Sequence, residues 1–337
     1  MTQNHQGVIT ITLNLKELIE KHNDLTQILG KYDLDAEKDN VELYLFIQKL
    51  VKLKIHCLAQ INELNPNAFM NKTVLITGGS SGIGKSIVDL YLKAGANVIV
   101  FDIKDCIEHK GRVQYNNVDV RNKNMIQEAI SNIESIDILI TCAGVFDFDQ
   151  NMNDEQRQKM VDINIHGVEN MIESCMPLLK NNRGQICTIT SGLSKTIDPT
   201  SLLYCITKQE IVKLTEKYAK EYETSGVRVN SVLPGPILTP LLVNVLPTVD
   251  DLVGYGNLNP QNMIGLPEWV ALEVLRVTNN LKYNNYLSTE VDCGEVSMAN
   301  IEDNKYWDPN YNGDYSFTIN GNIYKWGNPY TKENHLS

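Results

Sequence analysis

The sequence predicts an α/β protein in which a doubly wound parallel sheet is covered by helices on both faces. Three observations predict this class: short and nearly unbroken apolar runs recur along the middle of the chain, helical stretches separate them, and a glycine-rich turn follows the first run. Strands that are apolar on both faces are typical of a parallel sheet between two helix layers. The predicted strands are Thr73–Thr77, Val98–Phe101, Ile136–Thr141, Ile186–Thr190 and Arg228–Leu233.

Helical patterns occupy the gaps between these strands. The predicted helices are Ile83–Lys93, Lys123–Ile133, Asp154–Leu179 and Ser201–Thr224. A length of 337 residues suits one large α/β domain with appendages. We therefore divide the chain into an N-terminal extension (residues 1–70, mainly helical), the α/β domain (71–296) and a C-terminal extension (297–337).

The N-terminal extension begins with residues 8–13, which alternate like a short strand. Asn14 is placed to cap a helix that ends at Gly30, and the acidic stretch 33–39 indicates a linker. Too many positions of the predicted helix Val41–Leu64 are apolar for a single stripe. We therefore expect it to be clasped between other elements, belonging to the main domain or to a second subunit.

The C-terminal extension is rich in Tyr, Trp, Asn and Gly over residues 306–330. Asn320-Gly321 separates two short apolar runs, 317–319 and 323–326, which predicts a β-hairpin. We expect this segment, including Trp307 and Trp326, to pack against the body or a neighbouring subunit. A lid over a substrate is the alternative.

Composition excludes several classes of function. The chain has 30 basic and 41 acidic residues and a net charge of -11, so it repels nucleic-acid backbones and anionic membranes, and we expect neither as a partner. No apolar run reaches the ~18 residues that a membrane span needs, and the polar start is unlike a signal peptide. The 7 cysteines are scattered without zinc-ligand spacing, which predicts reduced thiols in a cytoplasmic protein and no metal site.

The glycine-rich turn runs from Thr77 to Gly84 and opens a helix, where backbone N–H groups can bind a pyrophosphate. Two interpretations share it. Residues 79–86 match the P-loop pattern of nucleotide triphosphatases, with the acidic strand end at Asp102 as a magnesium partner. In a dinucleotide site, Asp102 would instead bind the adenosine ribose hydroxyls. The loop alone does not decide between them.

A second group of polar residues lies downstream. Tyr204 and Lys208 are four residues apart on one helix face, where a cation would lower the phenol pKa and make it a general acid/base. Ser191 ends an apolar strand. Asn164 lies in the interior of a long predicted helix, where asparagine is unfavourable, so a functional role would explain it. A rigid loop, Pro234–Pro240, directly follows the last predicted strand.

Taken together, these residues resemble the short-chain dehydrogenase/reductase family over roughly 71–294 of this chain. The matching motifs occur in the family's order: Thr77-Gly-x-x-x-Gly-x-Gly84, Asp119-Val120, Ala143-Gly144, Asn164, Ser191, Tyr204-x-x-x-Lys208, Arg228-Val-Asn230, Pro234-Gly235 and Asp292-x-Gly294. So many ordered matches favour the dinucleotide site over the P-loop.

The resemblance implies a Rossmann-like fold and a catalytic tetrad. Tyr204 would be the general acid/base, Ser191 would bind the substrate oxygen, Lys208 would lower the Tyr204 pKa and hold the nicotinamide ribose, and Asn164 would fix a water in a proton relay. Residues implied for cofactor binding are Gly78, Ser81, Gly82, Ile83, Gly84, Asp102, Asp119, Val120, Ala143, Gly144, Tyr204, Lys208, Pro234, Gly235, Ile237 and Thr239.

We expect NAD to be preferred over NADP, because the Asp102 carboxylate repels a 2′-phosphate and no cation stands at Ser80 or Ser81. The expected reaction interconverts a secondary alcohol and a ketone. The alternative is a protein that keeps this fold without catalytic activity and senses dinucleotides or binds partners. The resemblance also implies a homodimer or homotetramer.

The sequence leaves the substrate open. Residues 238–265 are expected to form a flexible pocket wall, in which Val243, Leu246, Val253 and Tyr255 indicate a partly apolar pocket. The family's usual Asn-Asn-Ala-Gly is here Thr141-Cys142-Ala143-Gly144, a departure that concerns the sheet rather than hydride transfer.

Overall fold

The computed structural model describes residues 19–34, 36–37, 40–104, 113–257, 262–279, 285 and 288–291, and short strands at 2–3, 9–10, 315–319 and 322–326. The predictions for Asn14, Trp307, the Asn320-Gly321 turn and Asp292-x-Gly294 lie outside these residues.

The described residues of the N-terminal extension include two short strands and two complete helices. Strand β1 (Thr2–Gln3) pairs antiparallel with β2 (Ile9–Thr10), inside the predicted 8–13 run. Helix α1 (Asn23–Leu29) ends at Gly30, as predicted. Helix α2 (Val41–Asn62) begins at Asn40, whose side chain accepts a hydrogen bond from the Leu43 backbone N–H at 2.9 Å.

Helix α2 packs on the main domain, one of the two alternatives left open by its sequence. Its buried residues lie on one side, against helices of the α/β domain. Packing of α2 against a second subunit stays a prediction, and the side of α2 that faces away from the domain exposes apolar side chains. These are Val41, Leu45, Ile55 and Leu58.

The described residues of the main domain form a parallel sheet of seven strands. All five predicted strands are present, which confirms the doubly wound class, and two further strands, β5 and β9, lie at the sheet edges. The strands are β3 (Thr73–Thr77), β4 (Asn97–Asp102), β5 (Gln114–Asn117), β6 (Ile138–Thr141), β7 (Gln185–Ile189), β8 (Arg228–Pro234) and β9 (Ser288–Val291), in the order β5-β4-β3-β6-β7-β8-β9.

Helices cover both faces of this sheet. Neighbouring strand residues point to opposite sides, so Val74 and Ile76 enter one core while Leu75 enters the other. The helices are α3 (Gly82–Lys93), α4 (Lys123–Ile130), α5 (Asp154–Val161), α6 (Gly167–Asn182), α7 (Leu202–Tyr222), α8 (Pro240–Val243), α9 (Val249–Asn257) and α10 (Pro267–Asn279).

The long predicted helix 154–179 is interrupted between α5 and α6. Residues Asp162–His166 form a turn of π-helix, which places Asn164 at an irregular point of the backbone. Such bulges often occur at functional sites.

The predicted C-terminal hairpin is confirmed. Strand β10 (Tyr315–Ile319) pairs antiparallel with β11 (Asn322–Trp326), and the two strands lie alongside α5 and α7 respectively. Among the described residues, no helix has both the length and the apolar character required to cross a membrane.

The order of the strands positions the site. Strands β4 and β6 lie on opposite sides of β3, so the connections leaving β3 and β6 diverge at their carboxyl ends and open a crevice.

Candidate active site

A cavity of about 1320 Å³ lies at the carboxyl ends of the strands. The glycine-rich turn and Asp102 line one half, and Ser191 and Tyr204 line the other. Every residue that the family resemblance assigns to cofactor binding lines this cavity. It is therefore large enough, and suitably bounded, for a dinucleotide and a small substrate side by side.

The turn after β3 brings its backbone close to the end of β6. Gly78 has φ +70°, and a Cβ there would lie 2.8 Å from the Ala143 Cα, so a side chain cannot be accommodated. Thr77 Oγ1 accepts hydrogen bonds from the backbone N–H groups of Cys142 (3.0 Å) and Ala143 (3.1 Å). These contacts hold the turn in the narrow form that lets a pyrophosphate approach the backbone.

Helix α3 presents its N-terminus to the cavity. Its N-cap residue, Ser81, makes no side-chain capping bond, so its first N–H groups are not satisfied by that side chain. A phosphate placed there would meet both these donors and the positive end of the helix dipole.

Asp102 ends β4 at the cavity edge. One carboxylate oxygen accepts the Ser80 backbone N–H at 3.0 Å, and the other accepts the Lys104 backbone N–H at 2.9 Å. These bonds fix the carboxylate while leaving each oxygen a lone pair for a ribose hydroxyl.

Asp119 has a partner that the sequence did not indicate. Its carboxylate accepts hydrogen bonds from the guanidinium of Arg121, at 3.0 Å from Nε and 2.5 Å from Nη2. The Arg121 hydrogen bonds hold the pKa of Asp119 below its ordinary value. Any group bound at Asp119 would therefore share this carboxylate with Arg121.

The three central catalytic candidates come together. Ser191 follows β7 and lines the cavity with Tyr204, and its side chain is close enough to the phenol to influence the Tyr204 pKa. Both Tyr204 and Lys208 lie on α7 and face the cavity. The Lys208 ammonium lies 5.5 Å from the centroid of the Tyr204 ring and donates to the Ile189 carbonyl at 3.2 Å.

The electrostatics of this pair differ from the sequence expectation. Burial, then the nearby Tyr255 and Cys205, raises the pKa of Tyr204 above its ordinary value. Burial also lowers the pKa of Lys208 to about 8. Desolvation is the largest influence on the phenol pKa, and the Lys208 ammonium lies over the ring while it donates to the Ile189 carbonyl.

Asn164 is fully buried in the π-helical turn. Its Oδ1 accepts the Val145 backbone N–H at 2.9 Å, and its Nδ2 donates to the Val145 carbonyl at 3.0 Å and to Thr207 Oγ1 at 3.2 Å. Next to Val145, a Cβ added to Gly144 would lie 3.4 Å from Asn164 Oδ1 and 3.7 Å from Lys208 Nζ. Asn164 and Lys208 thus both lie close to Gly144, although Asn164 is outside the cavity lining.

Two aromatic residues of the cavity lining were not predicted from the sequence. Phe146 and Phe148 line the cavity, and the Phe146 ring packs edge-on against Tyr204 with centroids 4.8 Å apart. The one sequence feature that could have predicted them is their position shortly after the Ala143-Gly144 motif. Of the four residues expected to line the pocket wall, only Tyr255 does so. Val243, Leu246 and Val253 point instead into the core shared with the N-terminal extension, which corrects that expectation.

Departures from the family pattern are structural. The Thr141 hydroxyl is buried and has no hydrogen-bond partner among the described residues, so it does not replace the polar contacts of an asparagine. No group of His, Cys, Asp and Glu in the described part of the chain has the arrangement of a metal site.

Comparisons with known proteins agree with this geometry. A model of the short chain dehydrogenase family matches residues 72–250. Oxidoreductase UcpA of Salmonella typhimurium is 36% identical over 190 residues, which cover 52% of this chain and 72% of UcpA. The 3-oxoacyl-(acyl-carrier-protein) reductase FabG of Thermotoga maritima is 29% identical over 220 residues, covering 60% of this chain and 89% of FabG.

A solved structure extends the likeness to the whole domain. A 3-oxoacyl-(acyl-carrier protein) reductase from Brucella melitensis with bound NAD superposes with a TM-score of 0.60 at 25% identity, covering 69% of this chain and 94% of that one. The family is one of NAD(P)-binding oxidoreductases, and the cavity described above lies where its motifs meet. This chain belongs to the short-chain dehydrogenase family.

Proposed function

We propose that this protein is an NAD(H)-dependent oxidoreductase that interconverts a secondary alcohol and a ketone, with Tyr204 as the general acid/base. The observation that carries the proposal is the cluster of Ser191, Tyr204 and Lys208 beside Asn164 in one cavity with the glycine-rich turn.

The residues of the cavity fit a nicotinamide dinucleotide. The close approach at Gly78 and the N-terminus of α3 suit its pyrophosphate, and the Asp102 carboxylate suits the adenosine ribose. When bound, the cofactor supplies or accepts the hydride. Ile237 and Thr239 would flank its nicotinamide end.

The protein's own groups handle the proton. Ser191 is placed to donate to the substrate oxygen, where negative charge develops during reduction. Tyr204 holds its proton at neutral pH, as an ordinary phenol does and more firmly because burial raises its pKa, so it is in the form needed to protonate that oxygen. Lys208, with Asn164 next to it, is placed to return a proton to Tyr204. Phe146 and Phe148 line the substrate side of the cavity.

The first experiment is a fluorescence titration with NADH, NADPH and Mg-ATP. We expect NADH to bind, and NADPH to bind at least about tenfold more weakly, a difference of ~1.4 kcal/mol. The Asp102 carboxylate, whose negative charge disfavours a 2′-phosphate, is the reason. Equal affinities would contradict NAD preference, and binding of Mg-ATP alone would support the P-loop interpretation.

The second experiment tests catalysis with Tyr204→Phe in a panel of ketones and secondary alcohols. We expect turnover to fall by at least about 10²-fold, the usual contribution of a general acid/base, with NADH affinity within twofold. Tyr222→Phe, on the same helix but away from the cavity, is the matched control and should keep wild-type turnover. Unchanged turnover in Tyr204→Phe would overturn the proposed mechanism, and absence of turnover in wild type would favour a dinucleotide-sensing protein.

A further inference from the structure

One wall of the cavity is shared with the N-terminal extension. We call residues 238–257 the wall segment; it contains α8 and α9. Its inner side lines the cavity with Leu241, Asn244, Tyr255 and Asn257. Its outer side is apolar and buried against α1, α2 and the turn between them. That shared core includes Leu25, Leu29, Leu43, Phe46, Ile47 and Leu50 from the extension and Val243, Leu246, Val249, Leu252 and Val253 from the wall segment.

The extension also binds the backbone of the wall segment where it is least regular. Between α8 and α9, the Tyr32 hydroxyl donates to the Leu246 carbonyl at 2.9 Å. Lys31 Nζ donates to the Val243 carbonyl and lies 3.4 Å from the Leu246 carbonyl. A carbonyl removed from water needs such a partner, and α8, a single turn of helix, provides few of its own.

Helix α9 rests directly on α2. A Cβ added to Gly256 would lie 2.6 Å from Cε2 of Phe46, so only glycine permits this approach. The residues on either side of Gly256 are Tyr255 and Asn257, which line the cavity. Asn257 is also tied to α2, since its Nδ2 donates to Glu42 Oε1 at 2.7 Å.

Tyr255 is the residue of α9 that this packing positions in the candidate active site. Its phenol lines the cavity and lies close enough to Tyr204 to raise the Tyr204 pKa. Burial, followed by the negative charge of Asp198, raises the pKa of Tyr255 itself, so it is a neutral hydrogen-bond donor. Its position depends on α9, and that of α9 depends on the extension.

We propose that the N-terminal extension positions the substrate side of the active site, with Tyr32 and Phe46 as positioning residues that act through the wall segment on Tyr255. The inference rests on the proposed function for the identity of the substrate side. The packing that carries it requires no substrate.

The test is hydrogen exchange of the full-length Tyr32→Phe variant. Loss of one buried hydrogen bond makes local opening of the wall segment about fivefold more favourable. We therefore expect about fivefold faster exchange of amides 243–257. Amides of β3 and β6 should exchange as in wild type. Tyr44→Phe is the matched control, because this tyrosine lies on α2 in the same extension and its hydroxyl makes no hydrogen bond among the described residues.

Steady-state kinetics show whether the extension positions the substrate side of the site or only holds the wall segment in place. With a ketone that wild type reduces, we expect Tyr32→Phe to raise KM at least about threefold while kcat and NADH affinity stay within twofold. Gly256→Ala, which forces α9 away from Phe46, should raise KM further. Wild-type exchange in Tyr32→Phe would overturn the inference, as would faster exchange with unchanged KM. If no ketone is turned over, the proposed function fails, while exchange still decides whether the extension holds the wall.

Discussion

The Tyr204–Lys208 pair shows how burial can dominate over a nearby charge. Each group is driven toward its neutral form: the phenol pKa rises and the ammonium pKa falls to about 8. The structure therefore has a ready proton donor in Tyr204. Oxidation of an alcohol would instead require phenolate, which burial disfavours.

Lys208 consequently costs stability at neutral pH. Its pKa falls from 10.5 to about 8 on folding, which corresponds to roughly 3 kcal/mol against the folded state wherever both states are protonated. Between pH 8 and 10.5 the unfolded chain holds this proton more strongly, so the penalty disappears as pH rises. We expect Lys208→Met to raise the free energy of unfolding by up to about 3 kcal/mol at pH 7, while abolishing turnover.

Chemical denaturation of Lys208→Met and wild type at pH 7 and pH 10.5 measures this difference, which should shrink toward zero at the higher pH. Lys213→Met, at an exposed position of the same helix, should change stability by no more than about 0.5 kcal/mol. A destabilised Lys208→Met at pH 7 would mean that the bond to Ile189 outweighs the burial penalty.

At the scale of elements, the glycine turn both adopts a left-handed conformation that begins α3 and presents the N–H donors of α3 to the cofactor. Gly82 has φ +53° at the start of α3, and a Cβ there would lie 3.3 Å from Thr239 side-chain atoms. We expect Gly82→Ala to lower the free energy of unfolding by about 1–2 kcal/mol, the cost of the left-handed conformation. It should also weaken NADH binding at least about tenfold, because the donors of α3 shift.

Titration with NADH and urea denaturation measure both effects. Gly254→Ala is the control, because a Cβ at this exposed helical glycine meets nothing within 4 Å. It should keep NADH affinity and gain up to about 1 kcal/mol in stability. Wild-type NADH affinity in Gly82→Ala would show that the turn tolerates a side chain and that the cofactor binds elsewhere.

The elements also show what a sequence can predict. Strand Thr73–Thr77 has the bounds that its apolar run indicates, because both faces are buried and every position must be apolar or small. Strand β5 (Gln114–Asn117) was missed, since an edge strand has no need of an apolar run. Residues 238–265 were expected to form a flexible pocket wall, but part of this segment is helix α9, and long-range packing on Phe46 accounts for Gly256 within it.

At the scale of the whole molecule, the positions of the site residues followed from motifs, whereas the role of the extension did not. Motifs fix chemistry within short stretches of chain, so Tyr204, Ser191 and the glycine turn could be located in advance. The apolar residues of α2 predicted burial but not their partners, because contacts between residues such as Phe46 and Gly256 are set only by the complete fold.

An ion cluster around Lys54 joins the extension to the domain and yields a final prediction. Lys54 of α2, nearly buried, binds Asp24 of α1 at 2.5 Å and also Glu268 of α10. Removing the cation leaves Glu268 without its partner in a buried place, where one of its oxygens already has none among the described residues. We expect Lys54→Met to lower the free energy of unfolding by about 3–5 kcal/mol.

The pH dependence of this cluster has the opposite sign to that of Lys208. The nearby carboxylates raise the pKa of Lys54 against the effect of burial, so its stabilisation is full at neutral pH and is lost as pH rises through the folded-state pKa, above 10.5. Replacing both charges in Lys54→Met/Glu268→Leu should recover most of the loss, because an apolar pair leaves no unpaired charge. Denaturation of both variants and of the single variant Glu268→Leu, with the exposed Lys52→Met as control, gives the coupling energy. A coupling near zero would mean that solvent already satisfies Glu268, and that apolar packing alone joins the extension to the domain.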